Sequence, residues 1–170
     1  MNIKNHIMRL LVLAVSILKI VDASAVTPSL SIVKEISFGE IFGKSGICNL
    51  DYDTKVVSDL GGGLCPAFET KLGVPGQYII TGNSGTSLVI QIKSRTDSGD
   101  GLTFTPSGVF EVYGRTDIPI MANQDQVVPT GDTGVVTIRL GGTLRAIFDQ
   151  SFNDTISIEM IEGITFNEQP

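Results

Sequence analysis

The chain has 170 residues, with 12 Lys and Arg against 18 Asp and Glu, a formal net charge of −6, one histidine, two cysteines and no tryptophan. The single histidine, His6, lies in the N-terminal leader, so the remainder has no imidazole; this excludes Ser-His and Cys-His nucleophile pairs, a histidine general base and the commonest transition-metal ligand. An acidic chain without a Lys/Arg cluster also lacks the electrostatic footprint for nucleic acid or anionic lipid.

Residues 1–25 read as a secretory signal. Lys4 and Arg9 supply a positive start, Leu10 to Leu18 form an apolar run, and Ala23-Ser24-Ala25 offers small residues for cleavage between Ala25 and Val26. Lys19 and Asp22 interrupt the run before it reaches the roughly 20 apolar residues of a spanning helix, so no membrane insertion is expected after cleavage. The mature part then has 145 residues, the size of one domain spanning 26–170, and a net charge of −8.

The first mature segment alternates, with Leu30, Ile32, Ile36 and Phe38 on one parity, and predicts one half-buried strand ended by Gly39 and Gly43. Cys48 and Cys65 flank a short apolar pair, Val56-Val57, and the run Gly61-Gly62-Gly63. In an oxidising exported compartment they are expected to form one structural disulfide, stabilising the fold by about 3 kcal/mol. Neither has the Cys-x-x-Cys spacing of a redox pair. No Gly-Lys-Ser/Thr follows the glycine run, which reads as a loop rather than a phosphate cradle.

Phe68, Thr70 and Leu72 alternate before Gly73-Val74-Pro75-Gly76, and Tyr78-Ile79-Ile80 follows, a pattern that predicts a hairpin. Leu88, Ile90 and Ile92 form a strand closed by the turn formers Thr96 to Gly101. Leu102 and Phe104 predict one short strand and Phe110 and Val112 another. Ile118, Ile120 and Met121 flank Pro119, which confines that segment to an edge or an irregular stretch. Val136, Ile138 and Leu140 form a strand that Gly141-Gly142 is expected to end, Leu144 and Ala146 resume it, and Ile156, Ile158 and Met160 make a late strand. About nine short strands with no amphipathic helix mean an all-β protein, with a β-sandwich preferred to a barrel.

Asp51, Asp53 and Asp59, and separately Asp97, Asp100 and Asp117, carry oxygen ligands of the kind calcium takes, but neither group matches the twelve-residue calcium loop and both suit solvated turns. No metal or cofactor is expected. The aromatic set Phe68, Tyr78, Phe104, Phe110, Tyr113, Phe148 and Phe152 falls at strand-like positions and reads as core. Asn153-Asp154-Thr155 fits the N-glycosylation pattern and is read as chance.

Phe38-Gly39-Glu40-Ile41, Ala67-Phe68-Glu69-Thr70 leading to Gly73-Val74-Pro75-Gly76-Gln77-Tyr78-Ile79-Ile80, and Ile138-Arg139-Leu140-Gly141-Gly142-Thr143-Leu144 together carry a resemblance. Over nearly the whole mature chain the sequence resembles the exported bacterial family called domain of unknown function 4402. The resemblance implies an immunoglobulin-like, pilin-like sandwich with no established enzymatic role. Pilin-type subunits complete one another by strand addition, and here Leu30 to Phe38 would be the donor-type strand. The same apolar face is also what a first strand of a self-contained sandwich shows.

The sequence therefore points to a structural or adhesive surface protein of the periplasm, cell surface or exterior, with copies of itself or other surface subunits as partners and no catalytic residue. One alternative is a stand-alone module binding a carbohydrate or host surface through the loops Asp97 to Gly101 or Asn123 to Gly134. A second, disfavoured, alternative is a carboxylate-based glycoside hydrolase.

Overall fold

Alternation of apolar and polar residues gives a strand one buried face, and two such faces must cover each other. A computed structural model describes residues 26–65, 72–97, 101–147 and 153–169 and shows this arrangement as an all-β sandwich. Among the described residues the strands are β1 (Ser29–Lys34), β2 (Ile36–Phe42), β3 (Gly46–Leu50), β4 (Val57–Gly61), β5 (Gly76–Thr81), β6 (Ser87–Ile92), β7 (Arg95–Asp97), β8 (Leu102–Glu111), β9 (Ile118–Pro119), β10 (Asp125–Pro129), β11 (Val135–Ala146), β12 (Asn153–Ile158) and β13 (Ile164–Glu168).

β11 organises the larger sheet. One edge of it pairs along its length with β8, from Thr137↔Glu111 to Ala146↔Leu102. Its other edge pairs first with β5, from Val135↔Thr81 to Leu140↔Gly76, and then with β3, from Gly142↔Leu50 to Ala146↔Gly46. β1 extends the sheet beyond β5, β4 lies beside β3, and the short β7 and β9 pair with opposite ends of β8. Two smaller sheets complete the sandwich, β10-β6-β13 and β12-β2.

One core joins all three sheets. Tyr78, Ile80, Val136, Ile138, Leu140, Leu144, Phe104 and Phe110 of the large sheet share it with Ile36, Phe38, Leu88, Ile90, Ile92 and Val128 of the small ones, and all are essentially unexposed. The Phe38 ring meets the Phe104 ring edge to face, with centroids 6.1 Å apart and planes at 80°, a geometry that aromatic quadrupoles favour. Cys48 and Cys65 form the disulfide, with Cα atoms 5.8 Å apart, and both lie inside the core. Gly62, at φ +89°, folds the glycine run against Ser45 and Gly46, where a Cβ would lie 2.3 Å from the Ser45 carbonyl oxygen.

Several strand expectations need correction. Gly141-Gly142 does not end a strand; β11 runs through it. At this point the neighbour of β11 changes from β5 to β3, and a Cβ on Gly141 would lie 2.1 Å from the Leu50 carbonyl oxygen. The glycines are therefore needed for close approach, not for a turn. Leu102 to Glu111 is one strand rather than two, with Pro106 in the stretch between the partners β7 and β9. A hairpin between Phe68–Leu72 and Tyr78–Ile80 is excluded because both edges of β5 are taken by β1 and β11. Leu72 and Val74 instead make isolated bridges to Val56 and Ser37, and residues 66–71 lie outside the described residues. Pro119 does lie on an edge strand.

The first strand as a candidate assembly edge

The donor-type segment divides at Glu35. β1 carries Leu30 and Ile32, whereas Ile36 and Phe38 belong to β2 in a different sheet. The expected single half-buried strand from Leu30 to Phe38 is thus two strands of unlike burial. Ile36 and Phe38 are wholly buried, and β2 is paired with β12 from Ile158↔Ile36 to Asn153↔Phe42. Alternation persists through the sheet change, so sequence parity could not reveal it.

β1 is attached differently. Leu30 is half-buried and the other five residues are exposed, including Ile32 at 40% and Val33 at 48%. Its register on β5 runs Ser29↔Thr81, Leu30↔Ile80, Ser31↔Ile79, Ile32↔Tyr78 and Lys34↔Gln77, with an irregularity around Val33. Leu30 and Ile32 therefore share the parity of the buried Ile80 and Tyr78. Among the described residues no strand pairs with the outer edge of β1. Such an edge presents unpaired backbone donors and acceptors in a row, and only Lys34 provides the charge that commonly discourages strand addition.

Beneath β1 the Tyr78 hydroxyl sits in the core beside Glu35, at the point where the chain leaves β1. Burial first, and then the negative charges of Glu35 and Glu159, hold the phenol proton on well above its usual range. Among the described residues neither the Tyr78 hydroxyl nor Glu35 Oε2 has a hydrogen-bond partner of good geometry.

Asp51, Asp53 and Asp59 have structural employment. Asp51 Oδ1 accepts from the backbone nitrogens of Asp53 at 2.9 Å and Thr54 at 2.7 Å, closing the β3–β4 turn. These bonds, Thr54 first, lower its carboxyl below the ordinary range against an opposing effect of burial. Asp53 pairs with Arg139 at 3.5 Å, and that guanidinium also pairs with Glu111 and lies 5.6 Å from the centre of the Tyr52 ring. Asp59 accepts from Gly61 N at 3.2 Å. Asp117 is exposed, and the Asp97 side chain and Asp100 lie outside the described residues. No group of three His, Cys, Asp or Glu among the described residues is placed to hold a metal.

Of the aromatic set, Tyr78, Phe104 and Phe110 are core, while Phe68, Phe148 and Phe152 lie outside the described residues. Tyr113 corrects the expectation: it is 84% exposed, because β8 ends at Glu111 and Tyr113 begins the turn that follows. The supposed loop from Asn123 to Gly134 contains β10, paired with β6. The loop from Asp97 to Gly101 joins β7 to β8, and residues 98–100 of it, like residues 1–25 with Ala25 of the cleavage site, lie outside the described residues. Asn153-Asp154-Thr155 falls on β12. No protein-family model, no curated protein and no solved structure matches the chain.

Proposed function

We propose that the protein is an exported, non-enzymatic structural or adhesive surface subunit, joined to copies of itself or to other surface subunits by strand addition at β1. The reading rests on one observation: β1 is an exposed edge strand carrying Leu30, Ile32 and Val33 that, among the described residues, is attached to the disulfide-bonded sandwich by a single ladder, to β5. Main-chain pairing supplies affinity in strand addition and alternate side chains supply selectivity. On this structure the segment able to exchange is Ser29–Lys34, since Ile36 and Phe38 are buried in the core. The pilin-like character and the surface location follow from the resemblance and the leader together.

The test is light scattering of residues 26–170 over a range of concentrations, beside the variant Val33→Lys. Multimers that grow with concentration, and that the added edge charge dissolves without lowering the melting temperature, support the proposal. A monomer at every concentration refutes self-assembly at β1, and failure of a monomer to bind a synthetic Ser29–Lys34 peptide at that edge refutes strand addition there altogether.

A further inference from the structure

The residue expected to become the new N-terminus, Val26, is held at both of its backbone polar groups. Its nitrogen donates to Asn83 Oδ1 at 2.7 Å, and Asn83 Nδ2 donates back to the Val26 carbonyl oxygen at 3.3 Å. The same Nδ2 donates to both carboxylate oxygens of Glu168, at 2.8 and 2.9 Å. A carboxylate only accepts hydrogen bonds, so Glu168 requires the NH₂ side of the amide and thereby turns Oδ1 toward Val26.

The backbone of Asn83 is held as well. The main-chain carbonyl oxygen of Asn83 accepts from Thr130 Oγ1 at 2.6 Å and from Thr86 Oγ1 at 3.0 Å, which fixes the backbone that carries the side-chain amide, and Thr130 is wholly buried. Glu168 stands at the end of β13, opposite Leu88 of β6. Three distant parts of the chain, the start of the mature segment, the β5–β6 turn and the last strand, therefore converge on the Asn83 side-chain amide, which grips Val26 three residues before β1.

We infer that Asn83, oriented by Glu168, is a receptor for the α-ammonium group created at Val26 by export processing, so that cleavage itself fastens β1 in place. An uncleaved chain offers a neutral amide there. Cleavage replaces it with a cation, and a hydrogen bond from a charged donor is roughly twice as strong as a neutral one. The Glu168 carboxylate, one amide away, is the negative charge that such a cation favours. The inference rests on the export reading and deepens it: if β1 exchanges between copies in the same register, the same clasp seats the partner copy's processed terminus.

The experiment uses the full chain expressed with export. Mass measurement should show a product beginning at Val26, and a product beginning elsewhere overturns the inference. A variant with one glycine inserted between Ala25 and Val26 moves the ammonium away from Asn83. It should melt about 3 °C lower and exchange its β1 amide protons faster, and Asn83→Ala should abolish the difference between the two termini. Unchanged melting and exchange on insertion overturn the inference.

A second readout, independent of folding yield, is the titration of the Val26 amine in the wild-type protein. It should lie above the ordinary range of about 7.7 to 8.0 and return toward it in Glu168→Gln; an ordinary value in both overturns the inference. The oligomeric state separates this failure from that of the assembly reading, because a monomer with a raised amine titration retains the clasp and loses the strand exchange.

Discussion

Gly141→Ala probes the point where β11 changes neighbours. Gly141 is buried, and its added Cβ would lie 2.1 Å from the Leu50 carbonyl oxygen and 2.8 Å from the Tyr52 nitrogen, where ordinary contact begins at 3.4 Å. Relieving the first clash requires β3 to retreat by about 1.3 Å, which strains the ladder from Gly142↔Leu50 to Ala146↔Gly46. Overpacking costs about 1–3 kcal/mol and a weakened ladder bond about 1 more, so a loss of about 3 kcal/mol is expected. For a domain of this size that lowers the melting temperature by about 10 °C. Gly85→Ala is the control, since Gly85 has φ +71° and nothing within 4 Å of its added Cβ; only backbone strain remains there, about 1 kcal/mol. Thermal unfolding followed by circular dichroism compares the two. If Gly141→Ala melts as high as Gly85→Ala, the close approach of β3 is not what demands glycine and the reasoning fails.

Reduction of Cys48–Cys65, which closes a loop with a sequence separation of 17, should cost about 3 kcal/mol and lower the melting temperature by about 10 °C; equal melting with and without reductant would show that packing alone holds the β3–β4 region. Asp51→Ala should cost about 1 kcal/mol at neutral pH through its bonds to the Asp53 and Thr54 nitrogens. Because the folded carboxyl titrates below its ordinary value of 3.8, this contribution is complete above that value and disappears as pH falls through the folded pKa. Denaturant melts of wild type and variant should therefore converge in acid, and a gap that stays constant to pH 2 would show that the carboxylate is not its source.

The turn formers and the period-two alternation made an all-β chain legible, because those signals are local. Leu88-Ile90-Ile92 and Val136-Ile138-Leu140 were readable as core strands for that reason, and two cysteines allow only one intramolecular pairing. Which strands pair is not local. Gly141-Gly142 looked like a stop and proved to be the interior of the longest described strand, since the same residue serves a turn by its backbone freedom and a close contact by its missing side chain. Leu30 to Phe38 kept one parity across a change of sheet, so only the tertiary structure separated an exposed edge strand from a buried one. The Asn83 clasp gave no motif at all: Val26, Asn83 and Glu168 are far apart in sequence, and only the packing of the last strand against β6 brings the carboxylate to the amide that grips the chain's expected new beginning.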